Sequence, residues 1–199
     1  MKGRKIIVAM TGASGAGYCL ELLKALSPLR GQGLEVDLLV NESALSILEE
    51  ETGASSDDLS GLAGSVTHSS EMDHALASGS NLFSSMVICP CSTSTACKVH
   101  AGIADNLTAR CASVALKERR QLILVIRETP LSTPVLKALY ELSSWGVVIM
   151  PASPPFYGQR EGDVASLHKA LAGRVLDLLG LENDLSPRYS PGTGDPLDL

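Results

Sequence analysis

Apolar side chains along the chain follow two rhythms. Five short stretches are almost continuously apolar: Lys5–Met10, Leu34–Val40, Met86–Pro90, Gln121–Arg127 and Gly146–Pro151. Between them, apolar residues recur every three or four positions in Tyr18–Leu26, Glu42–Glu51, Ser92–Ala101, Asp105–Lys117, Thr133–Ser144 and Asp163–Leu179. The first rhythm predicts strands buried on both faces; the second predicts helices with one face on a core. Ser55–Ser80 is polar and irregular, with weak helical signal. Strands alternating with helices build right-handed βαβ units. The expected fold is α/β: a doubly wound, mostly parallel, Rossmann-like sheet of about five or six strands.

Composition narrows the class. The 199 residues, 45% hydrophobic and 19% charged, suit one globular domain. We expect it to cover residues 1–181. The Pro-, Gly- and Ser-rich tail, 182–199, is expected to be loose alone or to pack on a neighbouring subunit. A net charge of −6 argues against nucleic acid as partner, although a small anion needs only a local positive cluster. No apolar run is long enough for a membrane span, and the run after Lys2, Arg4 and Lys5 stops at Met10, too short for a secretory leader. The expected compartment is the cytoplasm. Five cysteines without a CxxC pair read as reduced, mostly buried thiols. Cys89-Pro90-Cys91 has no second pair at zinc spacing, the four histidines have no paired spacing, and Asp57-Asp58 has no matching acidic cluster. No metal is expected.

A doubly wound sheet binds ligands at the carboxyl ends of its strands. Thr11–Gly17, Asn41–Ser43, Cys91–Thr95, Arg127–Thr129 and Ala152–Tyr157 fall at that edge. The glycine loop is neither the dinucleotide GxGxxG nor a phosphate-binding GxxxxGK[ST]. It reads as a close backbone approach to an anion at a helix start, or as a tight turn for helix–sheet packing. Ser92-Thr93-Ser94-Thr95 offers four hydroxyls where one would cap a helix, which suggests a polar ligand beside the cap. Arg127-Glu128 emerges from an apolar strand, costly unless the charges are paired or used. Lys117-Glu118-Arg119-Arg120 closes a helix, where cations also suit the helix dipole.

Together, Thr11–Ala16, Cys89–Thr93, Leu116–Arg120, Arg127–Leu131 and Met150-Pro151 through Phe156-Tyr157 resemble the flavin prenyltransferases of the UbiX/Pad type, over about Lys5 to Tyr189. The resemblance implies a homo-oligomeric flavoprotein, typically a dodecamer, with active sites at subunit contacts. It implies transfer of a dimethylallyl group from dimethylallyl phosphate to N5 and C6 of reduced FMN, without a metal. The product, prenylated FMN, would serve a UbiD-type decarboxylase, in quinone synthesis or aromatic acid breakdown. By position, Gly12, Ala13, Ser14, Asn41, Ser92, Thr93, Ser94, Thr95 and Arg127 are implied to hold FMN. Lys117, Tyr157 and Arg174 are implied to hold the prenyl phosphate, with Arg110 and Glu128 nearby and Tyr189 where the family has an aromatic residue. Glu51 resembles the family's acid–base glutamate, with Ser14 as relay. Three features depart from the family: Asn41 replaces a serine, one extra residue lies between Tyr157 and Arg174, and Tyr189 stands where tryptophan is frequent. Two other readings stay open: a flavin-dependent cysteine decarboxylase of the same architecture, and an FMN carrier without catalysis.

Overall fold

The computed structural model describes residues 3–156, 163–186 and 188. Among these, six strands form one parallel sheet: β1 (Arg4–Ala9), β2 (Leu34–Val40), β3 (Ser65–His68), β4 (Ser85–Cys91), β5 (Gln121–Ile126) and β6 (Val148–Pro151). Their spatial order is β3-β2-β1-β4-β5-β6, all neighbours parallel. The chain winds outward through β2 and β3, then crosses back to β4 and winds the other way. The switch point, between β1 and β4, is where such folds open a crevice.

Successive β1 residues point to opposite faces and both faces are covered. Ile6, Val8 and Met10 join one core cluster, Ile7 and Ala9 the other. This double burial explains the near-continuous apolar strands. The first cluster is roofed by α1 (Ala16–Leu26), α2 (Glu42–Thr52), α3 (Ser56–Leu62) and α7 (Val164–Leu178). The second is roofed by α4 (Thr93–His100), α5 (Leu107–Lys117) and α6 (Thr133–Ser144).

Ser55–Ser80, read as irregular, contains α3 and β3. Ser65–His68 is a four-residue edge strand with one buried side chain, Thr67, so it lacks the apolar run that marks the others. Its structure comes from pairing with β2, from Asp37↔Ser65 to Val40↔His68. α3 is announced by a capping box, in which Ser55 and Asp58 exchange hydrogen bonds between side chain and backbone. Cys19, Cys89, Cys91 and Cys111 are buried, and burial pushes the Cys19 and Cys111 thiols up to about 12. The first tail residues lie on α7: Asn183 donates to Gly173 O and Asp177 Oδ1, and Ser186 is buried.

Candidate functional site

Two loops meet across the crevice. Thr11 is buried after β1; its hydroxyl donates to Pro90 O at 2.8 Å and accepts from Ser92 N at 2.9 Å. Gly12 then passes so close to α2 that a Cβ there would lie 2.9 Å from Ser43 Cβ. Gly15 has φ 99°, a conformation that a side chain opposes, and a Cβ would also strike the Tyr18 ring. Glycine is required at both positions by local geometry. Ala13 is buried, while Gly12 and Ser14 are exposed toward the crevice edge.

Glu51, in the last turn of α2, reaches back to the start of α1. Its carboxylate accepts from Gly15 N at 2.9 Å and from Ala16 N at 2.8 Å, filling donors that no residue of α1 satisfies. Burial pushes its pKa up, but hydrogen bonds from the Ser14 side chain and the Ala16 and Gly15 amides outweigh it, with help from the Arg127 charge. The carboxyl is thereby held below its ordinary value. Arg127, just past β5, donates from Nε to Ser14 O at 3.1 Å. Ser14, Glu51 and Arg127 thus form one connected group around the glycine loop.

The hydroxyl run divides its labour. Ser92 caps α4, accepting from Thr95 N at 3.2 Å, and its hydroxyl meets Thr95 Oγ1 at 2.9 Å. Thr93 is half-buried and Ser94 exposed at the start of the same helix. Asn41 caps α2 by accepting from Ala44 N through Oδ1, which turns its amide nitrogen away from the cap. Amide and hydroxyl donors, one guanidinium and small residues suit an anion joined to a planar ring with polar edges, so these residues fit FMN.

The residues matched to the prenyl phosphate do not gather here. Lys117 ends α5, four residues before β5 opens with Gln121, which pairs with Ser85 at the start of β4. It therefore sits at the amino edge of the sheet, on the order of 20 Å from the glycine loop across a six-residue strand. Lys117 pairs with Glu118 and packs on Gly79, where a Cβ would lie 2.7 Å from Nζ. It lines an open cleft of about 560 Å³ with Ser113, Arg119 and Trp145. Arg174 pairs with Asp177 and lines a different cleft, of about 410 Å³, between β6 and α7. Within one protomer, Lys117 and Arg174 line separate clefts, neither of them bordered by the glycine loop. Glu128 is exposed just past β5, its carboxylate accepting from Thr129 N at 3.1 Å. Tyr157 and Tyr189 lie outside the described residues.

One element escaped sequence reasoning. The Ser78-Gly79-Ser80 loop packs on Lys117 through Gly79 and leaves that side chain half exposed. It is held by Arg120, which donates to Gly79 O and Asn81 O, and by Arg110, whose Nε donates to Ala77 O at 3.0 Å. Ser78 and Ser80 are joined hydroxyl to hydroxyl at 2.8 Å on either side of Gly79. Its only signal was small residues within a segment read as irregular.

The Flavoprotein family matches residues 1–163. The flavin prenyltransferase UbiX of Methanothermobacter thermautotrophicus is 41% identical over 187 residues, covering 94% of this chain and 96% of that one. The chain belongs to the flavin prenyltransferase family. Among solved structures, AnUbiX (PadA1) in complex with FMN and dimethylallyl pyrophosphate is similar with a TM-score of 0.88 at 36% identity, covering 95% and 98% of the two chains. A dodecameric FMN-dependent Ubix-like decarboxylase from Escherichia coli O157:H7 also has a TM-score of 0.88, at 38% identity over 94% and 99%. The FMN-dependent cysteine decarboxylase TvaF shares the fold at a TM-score of 0.58 but only 16% identity, over 77% of this chain and 91% of that one.

Proposed function

We propose that this flavin prenyltransferase family member transfers a dimethylallyl group from dimethylallyl phosphate to reduced FMN, without a metal ion. The observation that carries the reading is the joined Ser14–Glu51–Arg127 group at the switch-point crevice, in a chain of this family.

FMN would be held by Gly12, Ala13, Ser14, Asn41, the Ser92–Thr95 helix start and Arg127, and when bound it supplies the nucleophilic ring. The donor phosphate leaves with the electron pair of the broken C–O bond. Lys117, Tyr157 and Arg174 neutralise it through charge-assisted hydrogen bonds, with Arg110 and Glu128 nearby. Ser78 and Ser80, flanking the Gly79 that packs on Lys117, would add hydroxyls to that cluster. Glu51 takes up the proton released as the second bond forms, with Ser14 as relay. An ionised carboxylate, which its surroundings favour, is the form that can accept it.

The separation of Lys117 from Glu51 supports a site completed between subunits, in an oligomer for which we propose the dodecamer. We place the reaction in the cytoplasm, with a UbiD-type decarboxylase as receiver of the product. Among the described residues no helix is long and apolar enough to cross a membrane. The 1–181 domain and the tail's role at a neighbouring subunit complete the proposal.

Mass spectrometry of the flavin after anaerobic incubation with dimethylallyl phosphate tests the reaction. The expected outcome is a mass gain of one prenyl unit, at a rate unchanged by EDTA. Lys117→Ala should abolish transfer while folding and FMN binding persist. Flavin recovered unchanged from the unaltered protein would favour a carrier, and carbon dioxide released from a peptidyl cysteine would favour a cysteine decarboxylase.

A further inference from the structure

Glu51 is only as well placed as the amides that hold it. Those amides belong to the first turn of α1, and that turn rests on α7. A Cβ at Gly17 would lie 2.3 Å from His168 Cε1 and 2.4 Å from Nδ1, so the imidazole fills the space of any side chain at position 17. The same ring meets Tyr18 edge to face, centroids 4.7 Å apart. Below this contact Leu22, Leu23, Leu171 and Val175 continue the α1–α7 packing in one buried cluster. The imidazole is therefore the last wedge of that packing, seated on Gly17, the residue that follows Ala16.

We propose that His168 is a positioning residue for Glu51: seated on Gly17, it fixes the α1 turn whose amides grip the carboxylate. The inference rests on the proposed acid–base role of Glu51. The role is one of shape. His168 is faced by Tyr18 and Glu21 of α1 and by Glu51 of α2, and burial favours its neutral form against the pull of the two carboxylates. Glu51 in turn is surrounded by Ser14, Tyr18 and Arg127. A planar ring without charge should therefore substitute for it.

Infrared titration of the carboxylate band tests this, with Glu51 identified by the component lost in Glu51→Gln. In the unaltered protein that component should titrate below the ordinary 4.5. In His168→Ala the midpoint should move up toward 4.5, and single-turnover prenyl transfer should slow about tenfold. Gly17→Ala, which evicts the ring, should do the same. His168→Phe should restore both readouts. A midpoint unmoved in His168→Ala, or His168→Phe behaving like His168→Ala, overturns the proposal. The titration needs no turnover, so absence of prenyl transfer in the unaltered protein would count against the proposed reaction and leave this test intact.

Discussion

Glu51 illustrates how one side chain carries both structural and chemical weight. Its folded pKa is depressed, so the stability it contributes is present above its ordinary 4.5 and is lost as pH falls through the lowered value. Melting temperatures of the unaltered protein and Glu51→Gln should therefore differ most above about pH 4.5 and converge below it. A gap independent of pH would exclude this linkage. Arg119 carries the opposite burden. It is the one non-glycine residue with positive φ among those described, at 57°. It follows the α5 cap, with Arg119 N bonded to Leu116 O and Arg120 N to Ala115 O, a helix ending that favours glycine. Arg119→Gly should raise unfolding stability by about 1 kcal/mol, read from the urea midpoint at unchanged slope. A fall would show that the exposed guanidinium contributes more than the backbone loses.

At the scale of elements, helix starts do two jobs at the crevice. Asn41 caps α2 through its oxygen, and in the proposed site its amide would meet FMN. Asn41→Ala should lose about 1 kcal/mol of stability with the cap. Asn41→Asp keeps an accepting oxygen, so stability should hold while FMN affinity, followed by flavin fluorescence, drops. Equal loss of stability in both variants would contradict this division. Most elements were legible in sequence because double burial leaves apolar runs and single-face burial leaves a three-to-four-residue rhythm. Leu34–Val40 and Thr133–Ser144 match the structure end to end. β3 was not legible, since a short edge strand with one buried side chain draws its shape from its neighbour.

At the scale of the molecule, a site divided between sheet edges has a direct test. Protomers carrying Lys117→Ala and protomers carrying Glu51→Gln should each be inactive, yet co-assembled they should recover about a quarter of the sites. No recovery would place both residues in one protomer's site. The sequence alone determined the doubly wound sheet, the loops at its carboxyl edge and the residues matched to the family, because burial pattern and residue type are written locally. Which of those residues meet was decided only by tertiary structure. α2 lies along the glycine loop, with Ser43 of its first turn against Gly12 and Glu51 of its last turn on Gly15 and Ala16, which joins Glu51 to that loop from 35 residues away. α5 instead returns toward the amino edge and carries Lys117 there, beside Gly79 of a serine-glycine loop that no local pattern announced.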